Sequence, residues 1–176
     1  MVIATTPLTA EQLEGKRIAI PGKMTTAYLT FLIFMDGRPF EAVDTYFQEI
    51  MDDVQAAKVD AGLIIHEGQL THKALGLHSV VNLGSWWHED TGLPLPLGVN
   101  TIRRDLPEDV KVKASRQLRA SIEFGLANRS DALAWAMQYA RGLEQQTADT
   151  FVGMYVNRRT VDMGEEGKRS IRLFLE

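Results

Sequence analysis

Short apolar runs alternate with longer, helix-like segments through the first half of the chain. The run "AGLIIH" is one of these; it contains Leu63, Ile64 and Ile65 in succession and ends in a histidine, His66. Runs this brief, separated by turn residues, are typical of buried strands. The predicted strands are residues 16–22, 40–46, 61–66 and 79–84, with predicted helices at residues 25–37 and 47–58 between the first three of them. This alternation predicts an α/β lobe with a parallel-dominated sheet.

The second half of the chain has a helical pattern without a convincing strand. Asp105 and Pro107 predict a helix start. An apolar stripe follows at every fourth position, formed by Val110, Ala114, Leu118, Ile122 and Leu126. Ser130 and Thr147 are candidate caps of two more helices, and Gly164 precedes a fourth. These apolar faces require partners: each other and the α/β lobe, or a sheet that this chain lacks.

Composition excludes several classes of protein. The net charge of −4 provides no basic surface for nucleic acid, and the absence of cysteine excludes disulfides and thiolate catalysis. The most apolar segment, residues 27–35, is far shorter than the ~20 residues that cross a bilayer. The first residues lack a basic region followed by a long apolar one, so no secretion signal is predicted. We therefore expect a cytoplasmic protein with no membrane or nucleic-acid partner.

The first candidate site lies where the strand at residues 16–22 leads through Pro21 and Gly22 into a helix. The helix opens near Thr25 and Thr26, and the first turn of any helix presents unpaired backbone N–H groups and the positive end of its dipole. Such an end can bind a carboxylate or phosphate. The alternative is that one threonine only caps the helix. The spacing does not match a P-loop.

The second candidate is His66, at the carboxyl end of a predicted parallel strand. Side chains there face the crevice in which α/β proteins bind ligands, and histidine suits general acid–base catalysis near neutral pH. Adjacent strand residues face opposite sides, so Glu67 orients His66 only if the backbone turns. The alternative is a partly buried histidine bonded to a backbone carbonyl. Neither His66 nor the other histidines, His72, His78 and His88, have a compact metal-ligand spacing, so no metal site is predicted.

Several blocks occur together in one order along the chain. They are "GKRIAIPGKMTTAY", "AGLIIHEGQLT", "VVNLGSWWHEDTGLPLPLG", "NTIRRDL" and "YVNRRTVDMGEEG". These blocks closely resemble 1,4-dihydroxy-6-naphthoate synthase, a late enzyme of the futalosine route to menaquinone. The resemblance extends from about residue 8 to the last residue, 176.

The resemblance implies two lobes like those of a type II periplasmic binding protein, with a cleft between them. It implies a lyase that cleaves a carbon–carbon bond, converting cyclic dehypoxanthinyl futalosine to 1,4-dihydroxy-6-naphthoate and dihydroxyacetone. No metal and no organic cofactor are implied. By position, the catalytic base corresponds to His66, and the substrate contacts correspond to Thr25, Thr26 and Ala27. The bound group would be the substrate carboxylate.

The chain departs from the family pattern at its N-terminal side. Family members carry an additional N-terminal segment that builds much of the first lobe, so this chain is expected to be a split enzyme, a truncated frame or a designed fragment. Residues 1–13 are then a hinge strand and linker, residues 14–104 the α/β lobe with the site, and residues 105–176 a helical segment that belongs to the first lobe or packs against it. We expect the helices to self-associate or to bind a complementary N-terminal segment. The alternatives are a non-catalytic lobe that binds an anionic aromatic ligand and an inactive remnant.

Overall fold

The computed structural model describes residues 1–140 and 142–176. The chain divides into two compact units, Met1–Leu97 and Gly98–Glu176, which are described separately. Residues 98–104, expected in the α/β lobe, therefore group with the helical unit.

A five-stranded sheet forms the centre of the first unit. Its strands are β1 (Val2–Ala4), β2 (Arg17–Ile20), β3 (Glu41–Asp44), β4 (Ala61–Leu63) and β5 (His78–Val81), in the order β3-β2-β4-β1-β5. Strand β2 is parallel to both β3 and β4, whereas β1 is antiparallel to β4 and β5. Four strands thus run in one direction and β1 in the other. The predicted α/β class with a mostly parallel sheet is confirmed, and the expected hinge segment contributes β1 to this sheet.

Four helices accompany the sheet: α1 (Thr26–Met35), α2 (Ile50–Gln55), α3 (Gly68–Thr71) and α4 (Leu83–Thr91). Short 3-10 segments lie at Glu11–Leu13 and His72–Leu75. Helix α2 is shorter than the predicted 47–58, because residues 47–49 form a turn closed by the Glu49 N–H to Tyr46 carbonyl bond of 2.8 Å. The strand predicted over 61–66 is shorter and ends at Leu63, although Ile64 still exchanges backbone hydrogen bonds with Met1. Its last residues form the exit from the sheet.

Alternation along the strands builds one apolar core on each face of the sheet. Ile18 and Ile20 of β2 pack with Phe31 and Met35 of α1, all of them buried. Ala19, pointing the other way, packs in a second cluster formed with α2. Helices therefore cover both faces, as expected for parallel strands.

The glycine of β4 permits the close approach of α2 to the sheet. A Cβ atom at Gly62 would lie 2.5 Å from Ile50 Cγ2 and 2.9 Å from Val54 Cγ2. Any larger residue at this position would therefore push the helix away from the strand.

The second unit is helical in the residues the structure describes. Its helices are α5 (Glu108–Ala127), α6 (Arg129–Ala136), α7 (Gln145–Tyr155), α8 (Arg158–Val161) and α9 (Gly164–Leu175), with a 3-10 segment at Met137–Tyr139. Long helix α5 has no fully buried residue, whereas Leu133 of α6, Ala148 of α7 and Phe174 of α9 are buried. An ion pair of 2.7 Å between Arg129 and Asp149 joins α6 to α7.

Two predicted helix caps in this unit are wrong. Helix α6 begins at Arg129, before Ser130, and Thr147 lies inside α7, which begins at Gln145. Pro107 rather than Asp105 occupies the position before α5, and its side chain makes no cap. Serine and threonine cap a helix only where the chain enters the helix at that residue, and here the residues before the two helices are Asn128 and Glu144. Throughout the described residues, no helix has the length and apolarity required to span a membrane.

Candidate active site

The two segments that carry the predicted site residues leave the sheet side by side. Strands β2 and β4 are parallel neighbours, with Ile18 opposite Ala61 and Ala19 opposite Gly62. Neighbouring strands lie about 4.8 Å apart, so their carboxyl ends meet at the same edge of the sheet. From this edge, β2 leads to Thr25 at the start of α1 and β4 leads to the histidine. The carboxyl edge of parallel strands is the usual ligand-binding edge of an α/β sheet.

Thr25 has a structural function at the start of α1. Its hydroxyl accepts a hydrogen bond of 3.2 Å from the Tyr28 N–H and donates one of 2.8 Å to the Gly22 carbonyl. These contacts fix the turn that leaves β2 and satisfy one N–H group of the first helical turn. The geometry therefore supports the capping interpretation for this hydroxyl.

Thr26 and Ala27 present the backbone groups that remain available at this helix start. A helix leaves its first N–H groups without acceptors inside the helix. The Thr25 N–H reaches the Gly22 carbonyl at 3.3 Å and the Tyr28 N–H reaches the cap hydroxyl. Within the described residues, the N–H groups of Thr26 and Ala27 have no such acceptor. Together with the positive end of the helix dipole, two adjacent N–H groups suit the two oxygens of a carboxylate.

The side chain of Thr26 ties a distant segment to the same helix start. Its hydroxyl donates a hydrogen bond of 2.7 Å to the carbonyl of Leu97, 71 residues further along the chain. The proline-containing segment at residues 93–97 therefore ends next to α1. The threonine hydroxyl proton is used by this contact, so the backbone N–H is the donor that Thr26 retains for a ligand.

His66 lies three residues beyond the end of β4. Its Nδ1 accepts a hydrogen bond of 3.0 Å from the backbone N–H of Gly68. The side chain is 14% exposed, and its Nε2 atom is buried. The ring of Phe47, which follows β3, lies 6.2 Å from the imidazole between ring centroids. The histidine is thus held in a defined orientation at the sheet edge.

Glu67 does not orient this imidazole. Its Oε2 lies 4.0 Å from Nδ1 of His66, which is too long for a hydrogen bond. The backbone N–H of Gly68, which the sequence analysis did not select, contributes to the orientation of the ring by its hydrogen bond to Nδ1. The signal was the spacing "HEG": a glycine two residues after a histidine at a strand exit allows the backbone N–H to turn back to the ring.

Two other histidines differ from His66 in what their Nδ1 atoms contact. In His72, Nδ1 lies 3.1 Å from the Gln69 carbonyl, and in His88 it lies 3.3 Å from the Leu93 carbonyl. A carbonyl oxygen only accepts, so both rings donate from Nδ1. In residues 1–140 and 142–176, no three acidic, histidine or cysteine side chains come together as a set of metal ligands.

Comparisons with known proteins agree with the resemblance found in the sequence. The family model described as "Menaquinone biosynthesis" matches residues 1–176. A 1,4-dihydroxy-6-naphthoate synthase from Thermus thermophilus is 42% identical over 177 residues, covering 100% of this chain and 64% of the relative. A protein of the same name from Streptomyces coelicolor is 37% identical over 164 residues, covering 91% of this chain and 58% of the relative.

A solved structure is similar throughout this chain. The crystal structure of a protein from Archaeoglobus fulgidus matches with a TM-score of 0.92 and 42% identity, covering 99% of this chain and 64% of that one. The chain therefore spans less than two thirds of the length of each of these three proteins.

Proposed function

The chain belongs to the menaquinone biosynthesis family, and from that premise we propose that it is the site-bearing part of a 1,4-dihydroxy-6-naphthoate synthase. The reaction is the conversion of cyclic dehypoxanthinyl futalosine to 1,4-dihydroxy-6-naphthoate and dihydroxyacetone, a carbon–carbon lyase step in the cytoplasm. The observation that supports this proposal is that the segments carrying Thr25–Ala27 and His66 follow neighbouring parallel strands at the same edge of the sheet. The start of α1 can bind a carboxylate, and His66 follows β4, the parallel neighbour of the strand that leads into α1.

The proposed binding step uses the start of α1. The N–H groups of Thr26 and Ala27 would donate to the substrate carboxylate, and Thr25 would hold the turn in shape through its cap. A hydrogen bond to a charged group contributes about 1.5–3 kcal/mol, enough to select carboxylate-bearing ligands over neutral ones. Formation of the aromatic naphthalene ring then helps to pull the reaction forward.

The proposed catalytic side chain is His66. The resemblance assigns it the removal of a substrate proton, for which the imidazole must present a lone pair to the substrate. In the described geometry the Gly68 N–H donates a hydrogen bond to Nδ1, and this bond helps to fix the orientation of the ring.

For the fold, we propose the second lobe of a type II periplasmic-binding-protein-like enzyme. Two features support this: the single antiparallel strand β1 between β4 and β5, and the similarity to a longer chain that this one covers to 64%. In this arrangement the first lobe closes the other side of the cleft and supplies further substrate contacts.

We also propose that the helical unit requires a partner. Val110 and Leu118 of the α5 stripe are 41% and 44% exposed. Burying such a side chain fully contributes about 1.5–3 kcal/mol, so the stripe favours either self-association or binding of a complementary N-terminal segment. Either partner would cover the apolar face that α5 leaves in water.

The test is turnover of cyclic dehypoxanthinyl futalosine, followed by chromatographic detection of the naphthoate product. The purified chain is assayed alone and with an added N-terminal segment of the Thermus thermophilus relative, and His66→Ala is the matched inactive variant. We expect product in at least one of the two conditions and a loss of ~10²–10⁴-fold in the variant. Tight binding of the naphthoate without turnover in either condition would instead support a binding lobe.

A further inference from the structure

We propose that Tyr46 is a specificity-determining residue: together with Phe47 it forms an aromatic wall beside His66 that binds the flat ring system of the substrate. The identity of this substrate rests on the proposed function. The wall would be the third element of the candidate site, after the carboxylate-binding start of α1 and the proposed catalytic histidine. Neither of those two groups distinguishes a flat carboxylic acid from a saturated one.

Tyr46 lies at the same edge of the sheet as the other site residues. Strand β3 is the parallel neighbour of β2 and ends at Asp44, and the Thr45 N–H still donates to the Ile20 carbonyl at 3.0 Å. Tyr46 is therefore the first residue beyond the sheet. Its carbonyl accepts a hydrogen bond of 2.8 Å from the Glu49 N–H, which closes the turn before α2. Backbone hydrogen bonds thus fix Tyr46 at the carboxyl edge, where α/β sheets bind ligands.

Three rings form a row from the exit of β3 to the exit of β4. The ring centroids of Tyr46 and Phe47 are 4.9 Å apart, and those of Phe47 and His66 are 6.2 Å apart. Both separations lie within the range of about 4.5–7 Å over which aromatic rings interact. Because β2 lies between β3 and β4 in the sheet, the row crosses the end of the strand that leads into α1. Phe47 is half-buried and Tyr46 is 58% exposed, so Tyr46 is the ring of the pair that a ligand can reach.

Tyr46 differs from the other large aromatic residues of the first unit, every residue of which the structure describes. It is the one phenylalanine, tyrosine or tryptophan of this unit whose side chain is exposed. The two adjacent tryptophans pack instead: Trp86 meets Phe34 edge-to-face at 5.2 Å, and Trp87 is buried. A single exposed ring elsewhere on a surface needs no explanation. This one, however, is linked through Phe47 to the imidazole of the candidate site.

An aromatic wall suits the ring system that becomes the naphthalene. Ligand pockets combine apolar and aromatic walls with a few polar groups that fix the orientation of the ligand. Here the N–H groups at the start of α1 would fix the carboxylate, and the rings would contact the face of the bicyclic system. Stacking strengthens binding about two- to twelvefold beyond the effect of the apolar area buried, and it requires a flat partner. Tyr46 would therefore select flat carboxylic acids over saturated acids of the same size.

The direct test measures by calorimetry the binding of two acids with the same carbon skeleton to the full chain. The flat acid is 2-naphthoate, and the saturated acid is decahydro-2-naphthoate. We expect Tyr46→Leu, which keeps an apolar side chain but no ring, to weaken binding of the flat acid at least about threefold and of the saturated acid less than about twofold. Tyr46→Phe keeps the ring and should bind both acids like the wild type.

The matched control is Tyr139→Leu. It removes an exposed tyrosine of the second unit whose ring also contacts a neighbour, Trp135, at 5.1 Å between centroids. Binding of both acids should be unchanged in this variant. If Tyr46→Leu weakens the two acids equally or weakens neither, the wall does not select flat ligands and the proposal is wrong.

A second measurement uses the wild-type chain and does not depend on the stability of a variant. In NMR spectra of the full chain labelled on its tyrosine rings, 2-naphthoate should shift the Tyr46 ring signals upfield and leave those of Tyr139 in place. Tyr46→Phe assigns the Tyr46 signals. An unshifted Tyr46 ring at saturating 2-naphthoate would overturn the proposal, as would the absence of binding of both acids.

Turnover separates this inference from the proposed function. In whichever condition the wild type converts cyclic dehypoxanthinyl futalosine, a binding wall predicts that Tyr46→Leu raises KM at least about threefold with little change in kcat. A lowered kcat with an unchanged KM in this variant would refute the wall. Absence of wild-type turnover would count against the proposed function, and the selectivity between the two acids would still decide the role of Tyr46.

Discussion

Replacing Thr25 with alanine should destabilise the first unit through the loss of a helix cap. The hydroxyl makes two hydrogen bonds, from the Tyr28 N–H at 3.2 Å and to the Gly22 carbonyl at 2.8 Å. Both bonds join the exit of β2 to the first turn of α1, and Thr25 itself has extended backbone angles, φ −96° and ψ 146°, as an N-cap requires. Alanine keeps these backbone angles available but offers no acceptor.

The expected cost is about 1–2 kcal/mol of unfolding free energy. Loss of an N-cap side chain costs about 0.5–2 kcal/mol, and the half-buried position of Thr25 places this case in the upper part of that range. For a unit of 97 residues, each kcal/mol corresponds to a shift in Tm of about 4–8 °C. The effect is therefore well above the error of an unfolding measurement.

The assay is urea unfolding followed by tryptophan fluorescence in a Trp135→Phe background, in which Trp86 and Trp87 of the first unit are the remaining reporters. Thr71→Ala is the matched control, since the Thr71 side chain makes no cap hydrogen bond. Thr71 is half-buried like Thr25, so Thr71→Ala removes a comparable side chain without removing a cap and should destabilise the chain less than Thr25→Ala. If both variants unfold at the same urea concentration with the same slope, the cap does not stabilise this helix and the reasoning is wrong.

Three further predictions concern binding, association and packing. Thr26→Pro removes a backbone N–H at a position where proline fits the helix. It should therefore weaken binding of 1,4-dihydroxy-6-naphthoate, measured by calorimetry, at least tenfold. Thr26→Val retains the N–H and should bind this ligand at least several-fold more tightly than the proline variant. Leu118→Glu should reduce self-association of the chain in sedimentation experiments at micromolar concentration. Ala120→Glu, on the opposite face of α5, should not reduce it. Equal effects of the two substitutions would place the interface elsewhere. Gly62→Ala should lower the free energy of unfolding in urea by about 1–3 kcal/mol, because its Cβ overpacks the contact between α2 and the sheet. The control is Gly98→Ala, which has no atom within 4 Å of the new Cβ and should unfold like the wild type.

Local sequence patterns were sufficient for much of the fold. Alternating apolar runs predicted four of the five strands, and the helix at residues 25–37 appears as α1 at Thr26–Met35. The pattern was less reliable at element ends. Helix α2 is shorter than predicted, and Ser130 and Thr147 are not caps, because a polar residue signals a helix boundary only where the packed chain also turns there.

The sequence by itself determined which segments follow strands and which begin helices, because apolar periodicity and turn residues are local properties of the chain. It therefore selected His66 and the segment Thr25–Ala27 as candidates, and their chemical roles stay predictions. The tertiary structure decided how these groups are used. The placement of β1 between β4 and β5 depends on pairing between residues far apart in sequence. The hydrogen bond from the Gly68 N–H to Nδ1 of His66 depends on how the backbone turns after β4, and a sequence pattern does not encode such a three-dimensional contact directly.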